Sequence, residues 1–169
     1  MKRKKVQYIG CVLTGDALAT ITNFFTENGI TCIGEVQQNM HFTLSYYGLK
    51  PDADRSNIPV SELGKTVELQ LDSFGCYTVD GVVQNMGFRI SEDSLRNIPI
   101  GNGTLADIFT LRVPHITVAI NPAKDAKNRV IAKAINTANC DFSKLKTPLT
   151  VKAKLAAFRF NDVAYAVEN

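Results

Sequence analysis

The chain contains two histidines, His41 and His115, and each opens the same pattern. The segments read His41-Phe42-Thr43-Leu44-Ser45-Tyr46 and His115-Ile116-Thr117-Val118-Ala119-Ile120: His, apolar, Thr, apolar, small, apolar. On a strand, side chains alternate between faces, so each His shares a face with its Thr while the intervening apolar residues point the other way. Two imidazoles facing one cleft supply a general base and a general acid near neutral pH. One takes the proton of an attacking water or 2′-hydroxyl; the other protonates the leaving oxygen. Thr43 and Thr117, two residues along the same strands, can donate hydrogen bonds to phosphate oxygens and stabilise charge as it develops. This scheme uses no metal, and the sequence shows no His/Asp/Glu cluster at ligand spacing.

Both motifs need strands to hold them. Residues 40–47 and 115–120 alternate as strands do, with Phe42, Leu44 and Tyr46 expected in the core and His41, Thr43, Ser45 and Tyr47 on the cleft face. Residues 6–13 form a further expected strand. Thr14-Gly15-Asp16 then starts an amphipathic helix, with Ala17, Leu18, Ile21, Phe24 and Phe25 on one face and a stop at Asn28-Gly29. Residues 30–38 read as a weaker strand or loop, and Gly48 to Gly64 as a long loop. Val67, Leu69 and Leu71 alternate with polar residues, and Asp80-Gly81 marks a tight hairpin whose return strand reaches about Ile90. Residues 91–112 look mostly irregular. Asn121-Pro122 signals a second helix, with Val130, Ile131, Ala134, Ile135 and Ala138 as its buried stripe. Residues 149–160 and 163–167 read as strands joined at Asn161-Asp162. Two helices and about seven strands in mixed order give an α+β class with mainly antiparallel sheets.

The 169 residues suit a single domain, 1–169, of two lobes, and such a chain buries roughly 70% of its unfolded surface without staples. With 45% hydrophobic residues it is no disordered segment. A net charge of +3 is too small for a protein that coats nucleic acid by charge alone. No stretch reaches the roughly 20 apolar residues of a membrane span. The leader Met1-Lys2-Arg3-Lys4-Lys5 resembles the start of a signal peptide, but Gln7 and Tyr8 interrupt the short apolar run behind it, so a charged leader before a first strand is expected. Cys11, Cys32, Cys76 and Cys140 form no C-x-x-C pair and are expected reduced, in a cytoplasmic protein.

The paired His-apolar-Thr strands, His41/Thr43 and His115/Thr117, resemble the signature of the 2H phosphoesterase superfamily, which includes RNA-ligase-T-like phosphodiesterases. The resemblance spans nearly the whole chain: a strand–helix opening, one motif in each half and a closing hairpin. It implies a two-lobed α+β fold whose mainly antiparallel sheets line a central cleft, with helices outside. It also implies metal-independent hydrolysis of nucleotide phosphodiester bonds without a cofactor, His41 and His115 as acid and base, and Thr43 and Thr117 as phosphate-binding hydroxyls. Which histidine plays which part does not carry over. Family members open 2′,3′-cyclic phosphates in RNA repair or processing, cut 2′-5′ linkages, or, in phage anti-CBASS nucleases, degrade cyclic oligonucleotide signals. A lone compact domain favours the last reading, as in a viral anti-defence enzyme acting in the host cytoplasm. The implied partner is the nucleotide substrate, whether cyclic nucleotide, cyclic oligonucleotide or RNA end, with no membrane and no obligatory protein partner.

Further substrate-binding candidates are Tyr8 and Tyr47, for stacking a base, and Arg112, for a second phosphate. Phe74, Tyr77, Lys152, Lys154 and the Gly101-Asn102-Gly103 turn are weaker. The main rival of a different class is a cyclic-nucleotide-binding sponge that keeps the cleft without turnover. A structural domain with two incidental histidines is the bland alternative.

Overall fold

The computed structural model describes residues 3–165. In chain order its elements are β1 (Tyr8–Leu13), α1 (Gly15–Glu27), β2 (His41–Tyr46), β3 (Thr66–Val79), β4 (Val82–Ile90), α2 (Glu92–Arg96), β5 (Pro99–Ile100), β6 (Gly103–Thr104), α3 (Leu105–Ile108), β7 (His115–Ile120), β8 (Asp141–Phe158) and β9 (Val163–Ala164). Short 3-10 turns cover Arg3–Lys5, Val60–Glu62 and Ala134–Asn139.

The principal sheet runs β1-β2-β7-β4-β3-β8, and β8 pairs back onto β1. That last pairing closes six antiparallel strands into a barrel, which corrects the two-lobed α+β expectation of sheets lining a cleft with helices outside. Closure depends on one long strand. The 18-residue β8 pairs along β3 from Asp141 to Lys154, and its last third also pairs with β1, Ala153 against Leu13 through Phe158 against Tyr8. Between the Leu71–Leu149 and Ser73–Lys144 pairs the ladder skips Leu145 to Pro148, where proline cannot donate to a neighbour. Sequence patterning missed residues 141–148 because they are mostly exposed and do not alternate.

The core lies on the inner face. Val67, Leu69, Leu71, Phe42, Leu44, Phe88, Ile116, Val118 and Leu155 are buried there. The helix α1 turns its expected face, Ala17, Ile21 and Phe25, onto this core. Phe24 meets Phe88 edge-on at 5.3 Å and Phe74 at 5.7 Å. Phe74 is thus a core aromatic and not a stacking residue. The Asp80-Gly81 hairpin is formed, with both residues at positive φ (51° and 78°), the geometry its sequence signals.

The second expected helix is absent. Asn121 does make a cap-like bond, its Oδ1 accepting from Ala123 N at 2.9 Å, but the chain then folds back instead of winding on. The Asp125 carboxylate accepts from the backbone N–H groups of Lys127 and Arg129, Asn128 takes φ 61°, and Lys124 bridges Val130. Side-chain acceptors of this kind compete with helical hydrogen bonds. Val130, Ile131 and Ile135 of the expected stripe are exposed as a result. The segment 91–112 holds α2, α3 and a small β5–β6 hairpin where mostly irregular chain was expected. Of the closing hairpin 163–167, β9 covers Val163–Ala164, and residues 166 and 167 lie outside the described residues, as do Met1 and Lys2 of the leader.

Candidate active site

β2 and β7 are antiparallel neighbours, bridged at Phe42–Ile116. That register sets His41 across from Thr117 and Thr43 across from His115. Phe42 and Ile116 are fully buried inside the barrel, so the four motif side chains stand together on its outer face. They line one cavity of about 370 Å³, with Tyr8, Gln37, Asn39, Met40, Tyr46, Leu111, Ala134 and Ile135 completing the wall.

The two motifs are built alike in detail. On β2 the pairing with β1 jumps from Ile9–Ser45 to Gly10–Thr43, leaving Leu44 as the extra residue of a bulge. On β7 the pairing with β4 jumps from Met86–Ala119 to Gly87–Thr117, leaving Val118 extra. Each threonine thus faces a glycine on the flanking strand. A Cβ at Gly10 would collide with the Phe42 carbonyl oxygen, and one at Gly87 would stand 2.5 Å from that of Ile116. Real side chains do not fit so close, so both bulges require glycine.

The bulge explains where sequence alternation fails. After Leu44 the faces exchange by one residue. Ser45 turns inward, donates to the Ile108 carbonyl at 2.5 Å and accepts from Thr110 Oγ1 at 3.2 Å. Tyr46, expected in the core, is 63% exposed and joins the cavity wall. Tyr47, expected on the His41 face, turns away: its hydroxyl donates to Asn57 Oδ1 at 2.6 Å and Arg55 lies 5.7 Å from its ring. Tyr47 is therefore no part of this cavity.

Both imidazoles are held the same way. His41 Nδ1 lies 3.3 Å from the Asn39 carbonyl oxygen, and His115 Nδ1 lies 2.8 Å from that of Val113. A carbonyl only accepts, so Nδ1 carries the proton and Nε2 remains for the cavity. Burial lowers the proton affinity of His41, opposed by the Asn39 carbonyl. Burial likewise lowers that of His115, opposed by the Val113 carbonyl, while charge on His41 and Arg112 lowers it further. The two histidines therefore sense each other, and the first proton on the pair resists the second. His41 lies beside a stacked aromatic pair: Tyr8 stacks on Phe158 at 4.3 Å, and the imidazole is 5.8 Å from Tyr8 and 5.1 Å from Phe158. Tyr8, a candidate for stacking a base, thus lines the cavity next to His41.

The symmetry ends at the threonines. Thr117 Oγ1 donates within the 3-10 turn, with the Thr137 hydroxyl at 2.8 Å and the Ala134 carbonyl at 3.2 Å. The buried Thr137 accepts in turn from Asn85 Nδ2 at 3.1 Å, so the turn is pinned over β7 and brings Ile135 to the cavity rim. Among the described residues, Thr43 Oγ1 makes no hydrogen bond and is the freer donor. Arg112 lies outside the cavity wall: its guanidinium binds the Ala138 carbonyl and Asn139 Oδ1 at the end of the same turn. Its charge still reaches His115, and the 3-10 turn engages Nη2 alone.

The weaker candidates fall elsewhere. Lys152 and Lys154 lie on the exposed face of β8 opposite Glu68 and Thr66, with Lys154 over the Tyr165 ring, and neither lines the histidine cavity. Tyr77 sits near the β3–β4 turn. Gly101 N–H donates to the Glu62 carboxylate at 3.2 Å, so an acid already occupies the Gly101-Asn102-Gly103 turn where a phosphate would sit. Gln37, Asn39, Leu111 and Ile135 were missed, since loops place them: Gln37 N–H bonds to the Val118 carbonyl at 2.8 Å and adds the 30–40 loop to the site.

Among the described residues, no group of three or more His, Cys, Asp or Glu side chains is arranged to hold a metal, and no helix is long and apolar enough to cross a membrane. All four cysteines are free, with Cys11 and Cys140 buried. No family model matches the chain, and no curated protein matches it.

Proposed function

We propose that this chain is a phosphodiesterase that cleaves nucleotide phosphodiester bonds by paired-histidine acid/base catalysis, without a metal. The observation that carries this reading is the duplicated construction around one cavity: each imidazole has Nδ1 tied to the carbonyl two residues back and Nε2 left for the cleft. An in-line displacement at phosphorus needs a base on the entering oxygen and an acid on the leaving one, and two imidazoles on antiparallel strands approach a bound phosphate from opposite ends. The neutral histidine accepts the proton of the water or 2′-hydroxyl as its oxygen bonds to phosphorus. The protonated one donates to the departing ester oxygen as that bond breaks, so the pair ends with its proton exchanged. Thr43, the freer hydroxyl, stabilises charge on a non-bridging oxygen. Tyr8 and Tyr46 offer faces to a base, worth about 1–3 kcal/mol per stacked base.

The paired motif, similar to that of 2H phosphoesterases, supports the same chemistry, now on a closed barrel. Cyclic oligonucleotide signals are the favoured substrates and a cytoplasmic site of action goes with them. The test is turnover in excess EDTA of 2′,3′-cyclic mononucleotides, cyclic di- and trinucleotides, 2′-5′ oligoadenylate and short RNA, against a His41→Ala/His115→Ala control. Cleavage that the control abolishes supports the proposal. Tight binding with no cleavage at any pH replaces it with the nucleotide-sponge reading, and neither binding nor cleavage ends both.

A further inference from the structure

A second cavity, of about 550 Å³, opens at the end of the barrel where β1 begins and β8 ends, lined by Lys5, Gln7, Gly48, Leu49, Pro51, Arg55, Arg159, Phe160, Asn161 and Asp162. One residue of its wall, Gln7, directly precedes Tyr8 of the histidine cavity in the chain.

Arg55 is the unusual member. It is only 5% exposed, yet no described carboxylate forms an ion pair with it. Its Nε donates to the Val6 carbonyl at 2.7 Å, Nη1 to Ala53 at 3.1 Å and Nη2 to Gly48 at 3.3 Å. Three of the five guanidinium donors are thus used, all on neutral carbonyls, leaving one N–H on each terminal nitrogen. A buried cation without a counter-charge is costly unless an anion joins it. Nearby, Arg159 is neutralised by Asp162, whereas Lys5 is exposed and forms no ion pair with a described residue. The wall carries a net charge of about +2, and an anion entering it gains from both Lys5 and Arg55. Phe160, 77% exposed, and Leu49, 71% exposed, flank the cations with apolar surface. Cation beside exposed aromatic is the chemistry that holds single-stranded nucleic acid.

We infer that this cavity is a second phosphate-and-base subsite, which makes the substrate an oligonucleotide of at least two units and not a mononucleotide. The inference rests on the phosphodiesterase reading for its assignment to a substrate, though not for the binding of a phosphate. The phosphodiester to be cut lies between His41 and His115. A neighbouring phosphate lies against Arg55 and Lys5, with its base against Phe160.

The experiment compares adenosine 2′,3′-cyclic phosphate with a linear 3′-5′ tri-adenylate, using the full chain, Lys5→Glu and Arg55→Lys. Both variants are expected to lose tenfold or more in kcat/KM on tri-adenylate, mainly through KM, and to keep their rate on the mononucleotide. Equal losses on both substrates, or none on either, overturn the inference. If nothing is turned over, tri-adenylate binding across a salt series decides: removing one phosphate contact with Lys5→Gln lowers the slope of log K against log salt by about 0.7. An unchanged slope, or no binding, overturns the subsite; a reduced slope upholds it while the catalytic reading fails.

Discussion

Leu44 and Val118 hold the same station on two antiparallel strands: each is the extra residue of a bulge three positions after a histidine. Each follows a threonine that faces a glycine, and each lies in an identical sequence of burial from its histidine onward for five residues. The two half-sites are related by an approximate twofold through the Phe42–Ile116 bridge. A bulge strengthens local twist and re-aims the chain, and its repetition accompanies two histidines that line one cavity.

Gly10→Ala and Gly87→Ala test this construction. Each new methyl would meet a carbonyl oxygen, and at Gly87 also the Thr137 methyl carbon. Each variant is expected to lose about 1–3 kcal/mol of stability in urea unfolding. Activity should fall as well, since the strand that aims the threonine must shift.

His41→Ala and His115→Ala are each expected to lower the phosphodiesterase rate about 10²–10⁴-fold. The double variant should lose less than the product of the two, because the acid and the base act as a unit. Rates of the four proteins on one substrate give the comparison; strict multiplicativity would point to independent roles.

The pH dependence has a definite sign. Burial holds both imidazoles below the ordinary histidine value of 6.5. A bell-shaped kcat/KM profile is therefore expected, centred on the acid side of 6.5 and already falling between neutral pH and pH 8. Stability follows the same shifts. Between the lowered folded values and 6.5 the unfolded chain binds more protons, so stability from these groups is complete above 6.5 and is lost as pH falls through that window. Urea midpoints from pH 7.5 to 5 should decline, and less steeply in a His41→Gln/His115→Gln protein.

The threonines should separate. Thr43→Val is expected to cut the rate with little change in melting temperature, because Thr43 holds nothing in the resting fold. Thr117→Val removes a partner of the buried Thr137 and of the Ala134 carbonyl, so it should cost about 1–3 kcal/mol of stability in addition to rate. Thermal melts beside initial rates distinguish the two.

Burial pushes the Cys11 and Cys140 thiols up to about 12, so both stay protonated at pH 8. Iodoacetamide under native conditions is expected to leave these two unmodified while the half-exposed Cys32 and Cys76 react first, as read by peptide mass spectrometry.

The sequence by itself determined the chemical groups and the local strands. Period-two alternation from His41 and from His115 needs nothing beyond nearest neighbours, and the Asp80-Gly81 turn and the α1 stripe are equally local. Alternation carried past Leu44, however, put Tyr46 in the core and Tyr47 in the site, because a bulge is a property of two paired strands and only Gly10 opposite reveals it. The capping chemistry of Asn121 was present, yet Asp125 and Asn128 turned the chain before a helix could grow. Only the tertiary structure decided that β8 reaches both β3 and β1. Long-range pairing of this kind is set by which edges find partners, and it made a closed barrel where the order of elements suggested two lobes. It also decided that Arg55, an ordinary loop residue by its sequence, is a buried cation facing a cavity, since burial is fixed by what folds over a residue and not by its neighbours in the chain.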